Sequence, residues 1–364
     1  MTGLPKKRVL IVDDAVVVRK SLADAIARDP DLEVAATASN GRLALAKFPS
    51  AKPDIVLLDL EMPEMDGLET VRELRKIDAR VPIIMFSTLT ERGASITLEA
   101  LSAGATDYVT KPSNSDGGST SQAVSSELIP KIRALCRLPE PGEGFSSAAP
   151  PPSRPLPVPS PRTRPAAPVH IVAIGVSTGG PDALAHVVPS LPAELPVPIV
   201  IAQHMPPIFT GLLAARLSAK GNLPVRECVP GEPVQPGCAF LAPGDFHMVL
   251  EKEGGRTCLR TNRKEKENFC RPSVDVLFRS VARVYGPRAL AVVLTGMGQD
   301  GLKGCEALHQ AGARICVQDE ASSVVWGMPG YVARAGLADK ILPLGQIAAE
   351  IVRVTRQAAA GSDH

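Results

Sequence analysis

Short, almost uninterrupted apolar runs recur along this chain, and each stops abruptly at a polar or glycine-rich turn. Arg8–Val12 runs into Asp13 and Asp14, Ile55–Asp59 ends in a carboxylate, and Val81–Ser87 ends in a hydroxyl. Further on, Ile171–Val176 runs into Ser177, Val197–Ala202 into Gln203-His204, and Ala289–Leu294 into Thr295-Gly296. Runs this short and this apolar read as strands buried on both faces. Segments with helical spacing lie between them, among them Val16–Asp29, Gly41–Phe48, Leu68–Ile77, Phe209–Ala219 and Ser273–Val284. Such alternation predicts parallel, doubly wound α/β sheets. Every strand of a parallel sheet delivers its last residue to one edge, which is where such folds bind ligands.

The alternation is broken once. The run Pro151–Pro168, PPSRPLPVPSPRTRPAAP, has no apolar period and is dense in proline, so it cannot bury a core. It reads as a semi-rigid spacer within a linker from Leu138 to Pro168; a docking site for a proline-recognising partner is the alternative. The expected organisation is therefore 1–137, a first α/β domain; 138–168, a Pro-rich linker; 169–356, a second α/β domain; and 357–364, a tail. A length of 364 residues agrees with two domains.

Composition excludes more than it proposes. The net charge is +2, which supplies no strong field for nucleic acid or a membrane surface. Aromatic residues are 3%, too few for base-stacking platforms. The seven cysteines form no C-x-x-C pair and read as reduced thiols. No apolar run is long enough to span a membrane, and Lys6-Lys7-Arg8 leads into only a short apolar strand, unlike a secretory signal. A cytoplasmic location, with no nucleic acid and no membrane insertion, is expected.

In the first domain Asp13, Asp14, Asp59, Ser87 and Lys111 all fall at carboxyl ends of strands, the fifth strand being Asp107–Thr110. Crowded carboxylates repel, and oxygen-only ligands suit Mg²⁺. A carboxylate beside Mg²⁺ can attack a phosphoryl donor. Lys111 and the Ser87 hydroxyl could then hold the phosphoryl oxygens.

In the second domain the turn Gly175-Val176-Ser177-Thr178-Gly179-Gly180-Pro181 joins a strand to a helix and has the G-x-S-x-G spacing of a nucleophile elbow. A glycine-rich phosphate loop has the same geometry, so this stretch alone does not decide between them. His204 and Asp300 also follow strands. A hydroxyl, an imidazole and a carboxylate are what acyl transfer requires. Singly, His204 reads as a structural histidine and Asp300 as a cap on the helix from Gly301. Their order, Ser then His then Asp, differs from that of α/β-hydrolases. Backbone N–H groups around Thr178 and in Gly296-Met297-Gly298 are candidate oxyanion donors. His247 ranks second as a base, and His186 reads as structural. Glycines at 231, 237, 244, 254 and 255 suggest a β-hairpin insertion between Cys228 and Thr261.

Two resemblances add to this. VDD at Asp13-Asp14, LLDLEMPEMDG around Asp59, FST at Ser87 and TKP at Lys111 resemble the receiver domain of two-component response regulators. That resemblance implies a flavodoxin-like, five-stranded parallel sheet, phosphorylation on Asp59, Mg²⁺ on Asp13, Asp14 and Asp59, and a switch made of Ser87, Lys111 and Tyr108. GVSTGGP, QHMP, APGDFH, RPSVDVLFRS, LTGMGQDG and VWGMPG resemble the CheB family of chemotaxis protein-glutamate methylesterases. It implies hydrolysis of glutamate γ-methyl esters on chemoreceptor cytoplasmic domains, deamidation of some receptor glutamines, and a chemotaxis histidine kinase as phosphodonor. By that match Ser177 is the nucleophile, His204 the base and Asp300 the orienting carboxylate. Thr178 and Met297 then sit near the histidine or the oxyanion, and the ester reaction itself needs no cofactor. The rivals are a regulator with a DNA-binding output and a non-catalytic partner-binding module.

Overall fold

The structure, a computed structural model, describes residues 5–111, 127–139 and 167–359. The chain divides into two compact units, Met1–Ser147 and Ala148–His364. The linker expected over 138–168 falls largely on residues 140–166, outside the described residues, as does the tail from 360 onward.

The first unit alternates β1 (Lys7–Val12), α1 (Val16–Ala27), β2 (Leu32–Ala38), α2 (Gly41–Ala51), β3 (Ile55–Asp59), α3 (Gly67–Ile77), β4 (Ile83–Ser87), α4 (Glu91–Ser102) and β5 (Asp107–Thr110). A further helix, α5, spans Ile129–Leu135. The strands form one sheet in the order β2-β1-β3-β4-β5, every pair parallel. The apolar runs of β3 and β4 are buried throughout, as the sequence pattern requires, while the edge strand β2 is only partly buried. Three helices start where a side chain takes up a free N–H: Asn40 accepts from Leu43, Asp66 from Glu69 and Thr90 from Gly93. The winding of the chain across the sheet reverses between β1 and β3, so Asp13 and Asp59 end neighbouring parallel strands at the crevice. Gly67 lets α3 close on this edge, since a Cβ there would lie 2.2 Å from the Asp59 carbonyl.

The second unit holds a seven-stranded sheet in the order β14-β13-β12-β6-β7-β9-β8. Its strands are β6 (Ile171–Val176), β7 (Ile199–Gln203), β8 (Val225–Glu227), β9 (Ala239–Leu241), β12 (Ala289–Val293), β13 (Arg314–Gln318) and β14 (Lys340–Leu342). All six neighbouring pairs are parallel. The helices are α6 (Gly180–Val187), α7 (Phe209–Lys220), α8 (Val274–Tyr285), α9 (Leu302–Gln310), α10 (Met328–Arg334) and α11 (Leu344–Ala359). The expected hairpin is an antiparallel pair, β10 (His247–Glu253) and β11 (Arg256–Asn262), which buries Leu250 and Leu259 in the main core. The rest of that glycine-punctuated region supplies β9, which pairs with β8 just before the region to make a parallel edge that short runs do not announce. Strand β6 lies between β12 and β7, so Ser177 leaves the sheet where the winding reverses.

Candidate active site

Ser177 is the first residue beyond β6. Its N–H donates to the carbonyl of Thr295 at 3.0 Å, and its carbonyl accepts from Gly180 at 2.7 Å. Gly179 holds φ at 74°, a left-handed turn that glycine adopts without cost. Two other glycines are required by crowding. A Cβ on Gly180 would lie 2.0 Å from Oε1 of Gln203, and one on Gly296 would lie 2.8 Å from Cβ of Ser177. The serine is thus lifted onto a turn pressed between the loops that follow β7 and β12.

His204 follows β7, the strand beside β6. Val176 and Gln203 are register partners, and the N–H of His204 donates to the Val176 carbonyl at 3.2 Å. Serine and histidine therefore leave adjacent strands at the same level. The buried side-chain amide of Gln203 secures both, its Nε2 donating at 3.1 Å to the carbonyls of Ser177 and His204.

Asp300, beyond β12, completes the arrangement: its Oδ2 lies 2.7 Å from Nε2 of His204. It accepts from the Gly301 N–H at the start of the helix that follows it, at 3.1 Å. Its oxygens also accept from the backbone N–H groups of Val274 at 2.7 Å and Asp275 at 3.0 Å, in the first turn of α8. Ser273 Oγ donates to it at 2.9 Å and Asn268 Nδ2 at 2.8 Å. Asp275 takes the complementary position at the start of α9, accepting from Gly301 at 3.0 Å and Gly304 at 2.6 Å. Asn268 also donates to Asp275, at 2.9 Å, so one amide joins two buried carboxylates.

Asn268 and Phe269 are the two central residues of a tight hairpin turn, in which Glu267 and Cys270 exchange backbone hydrogen bonds of 3.2 and 3.0 Å. Their φ values are 52° and 62°, the signature of a type I′ turn. Cys270 leaves this turn with Sγ 3.4 Å from Nδ1 of His204. None of Gln203, Asn268, Cys270, Ser273 or Asp275 had a role assigned from sequence. The run RPSVD held part of the signal, a serine N-cap with an aspartate two residues on, but its target is a loop far along the chain.

The electrostatics follow from burial and these contacts. Burial alone would raise the Asp300 carboxyl. The His204 contact and the N–H groups of Val274 and Asp275 outweigh it and hold the carboxyl below the usual range. Asp275 is pushed up to about 6 by burial and by the Asp300 charge. For His204 burial is the largest influence and favours the neutral ring. Cys270 and Asp300 together oppose it and raise the imidazole to about 10.

The remaining expected residues are placed as follows. Thr178 is buried, and its carbonyl accepts from Thr295 Oγ1 at 3.0 Å. Met297 is half-buried in the loop after β12. The Gly296 N–H donates to Val325 at 3.0 Å and is not free for an oxyanion. His247 is buried behind Ser273, its Nδ1 accepting from Ser273 N at 3.2 Å and its Nε2 2.9 Å from the Glu265 carbonyl. It supports the turn before α8. His186 lies in the last turn of α6.

In the first unit the carboxylates of Asp13, Asp14 and Asp59 offer oxygens within 4.8 Å of one another. Asp13 and Asp59 are buried and Asp14 is exposed. Lys111 Nζ stands 2.7 Å from Asp59 and 3.2 Å from Asp13. Burial raises Asp59 to about 6, with Lys111 holding it from rising further. The buried Oδ2 of Asp13 faces the Lys111 ammonium, which it shares with Asp59. One lysine against three carboxylates, all of them oxygen ligands, fits a divalent cation. Ser87 is fully buried and accepts from Thr97 Oγ1 at 2.8 Å. Tyr108 is buried, with Lys131 Nζ 5.4 Å from its ring centre.

A phospho-acceptor pocket on one parallel sheet and a serine beside a His–Asp pair on another define a receiver-controlled hydrolase. Residues 9–118 match the response regulator receiver domain family, and residues 172–351 match the CheB methylesterase family. The protein-glutamate methylesterase/protein-glutamine glutaminase of Trichodesmium erythraeum is 48% identical, over 96% of this chain and 99% of that one. Its counterpart from a Nocardioides species is 47% identical, over 96% of each. The crystal structure of the Thermotoga maritima CheB methylesterase catalytic domain is 42% identical, with a TM-score of 0.50, covering 51% of this chain and 98% of that one. This chain belongs to the family of receiver-linked CheB protein-glutamate methylesterases/protein-glutamine glutaminases. The DNA-binding rival fails with this match. No described helix is long and apolar enough to cross a membrane.

Proposed function

We propose that Ser177, His204 and Asp300 form the catalytic triad of this methylesterase. The observation that carries the reading is the 2.7 Å contact between His204 and Asp300 at the strand end next to Ser177. Asp300 holds the ring by Nε2, so Nδ1, which Cys270 Sγ faces at 3.4 Å, is the nitrogen that would exchange a proton with Ser177. The Ser177 oxygen attacks the γ-ester carbonyl of a glutamyl side chain as its proton passes to Nδ1. The oxyanion that forms is met by backbone N–H groups near Thr178 and Met297. The tetrahedral intermediate collapses, and methanol leaves with the proton from the imidazolium. Water, deprotonated by the same ring, then releases the glutamate carboxylate and frees the serine. Glutamine deamidation follows the same course with ammonia as leaving group.

The first domain governs this activity. Asp59 is the phosphoryl acceptor; Asp13, Asp14 and Asp59 would hold Mg²⁺, which neutralises the transferred group's charge. Ser87, Lys111 and Tyr108 are the switch residues. A histidine kinase is the phosphodonor, and chemoreceptor cytoplasmic domains are the substrates. The boundaries 1–137, 169–356 and 357–364, with the linker 138–168, complete this reading. In the unphosphorylated state the first domain restrains the activity of the second. A fragment from Pro168 onward that is no more active than the unphosphorylated full chain sinks that restraint. Methanol release from a methylated receptor fragment, measured with and without a phosphodonor and Mg²⁺, tests the whole assignment.

A further inference from the structure

Phe269 occupies the second central position of a type I′ turn, φ 62°, where glycine is the favoured residue and an aromatic is strained. Its side chain is 96% exposed. Strain and exposure both work against it, and neither is offset by packing. Its neighbours in the turn reach the triad on either side. Asn268 donates to Asp300, and Cys270 touches His204. The turn therefore stands at the mouth of the site.

Ile208, four residues beyond His204, repeats the pattern. It is β-branched, holds φ at 75° and is 43% exposed. Such a residue at positive φ is an outlier, and outliers of this kind persist where the surroundings hold them for use. On the serine side Val324 is 40% exposed, and its side chain lies where a Cβ on Gly179 would touch it at 2.7 Å. Loops beside each member of the triad thus present an apolar side chain to solvent.

The substrate explains why. A glutamyl side chain reaches only about 4 Å from Cα to its carboxyl carbon. The reacting atoms must approach to roughly 3 Å. The backbone carrying the ester must therefore lie against the mouth, and whatever projects there touches it. We propose that Phe269 and Ile208 are substrate-docking residues that seat the protein surface carrying the glutamyl ester. They set the preference for a protein-borne ester over a free one. This deepens the esterase reading and rests on it.

The test compares kcat/KM of the full-length chain on a methylated receptor fragment with kcat/KM on a small γ-methyl glutamate ester. The variants are Phe269→Gly and Ile208→Gly. Glycine suits both backbone conformations, so thermal midpoints hold or rise. Each substitution is expected to lower the ratio of the two kcat/KM values by about tenfold or more, as loss of an aromatic anchor does, chiefly through KM for the fragment. An unchanged ratio overturns the proposal. So does an equal loss on both substrates, which would mean that the turn acts only through Asn268 on Asp300. A gain on the fragment by the unphosphorylated chain, with no fall in the ratio, would assign these side chains to the restraint by the first domain. Ser177→Ala, run alongside, separates the two levels. If it retains turnover, the esterase reading fails; if it does not, the docking result stands by itself.

Discussion

Asp275 and Asp300 cap each other's helices. Asp300 precedes α9 but accepts from the first turn of α8, while Asp275 in α8 accepts from the start of α9. The exchange clamps the two helices together and fixes the carboxylate that holds His204. Anionic groups at helix N-termini gain from the helix dipole, which helps keep Asp300 charged.

Asp300→Asn puts an amide where every neighbour of Asp300 is a donor or the imidazole. Loss of about 10⁴-fold in kcat is expected, as for an orienting aspartate elsewhere. Asp275→Asn touches no reacting atom. It is expected to cost about tenfold to a hundredfold, as loss of a supporting carboxylate does. Steady-state kinetics on a methylated receptor fragment, with circular dichroism to confirm folding, separates the two.

The raised imidazole gives a pH signature. Only neutral His204 can take the Ser177 proton, so kcat/KM rises as pH passes through the ring's raised value of about 10. Cys270 is one cause of the rise. Cys270→Ser removes the sulfur beside Nδ1 and should move that limb to lower pH. Profiles for the two proteins that coincide near pH 6.5, the ordinary histidine value, would falsify this account.

Gly296→Ala places a methyl 2.8 Å from Cβ of Ser177 and 2.4 Å from Sδ of Met328. Met328 can give way, being flexible. The serine turn cannot, because its N–H is tied to Thr295. The variant is expected to fold and to lose about a hundredfold in kcat, the scale of a small misplacement of a reacting group. A kcat within twofold of the parent would show that the turn has slack.

Phosphorylation should need both the carboxylate and the cation. Burial lifts Asp59 to about 6, so below that pH its nucleophilic, charged form declines. Stimulation of methanol release by a small phosphodonor is therefore expected to fall as pH drops through this range. Chelation of Mg²⁺ or Asp59→Asn should hold turnover at its unstimulated level throughout. Stimulation that survives chelation would remove the cation from the scheme.

The turn Asn268-Phe269 shows where a sequence misleads. Asn-Gly at those positions would have announced a hairpin; Asn-Phe does not, since local preference speaks against it. Strand β14 and helix α10 were equally silent, being a three-residue edge and a single short helix. Ser177, His204 and Asp300 were legible because each follows a buried run, and the chain announces where such runs stop.

By itself the sequence determined two parallel α/β units, the strand ends that carry chemistry and the residue types standing there. These are local matters: apolar period, glycine turns and the direction shared by parallel strands. The tertiary structure alone decided that Asp300 serves α8 as well as its own helix, that Asn268 joins two carboxylates, and that Cys270 faces His204. The contacts of Asp300 with Val274 and Asn268 and of His204 with Cys270 join residues 26, 32 and 66 positions apart in the chain. Their partners are chosen by packing across the sheet, which no local pattern encodes.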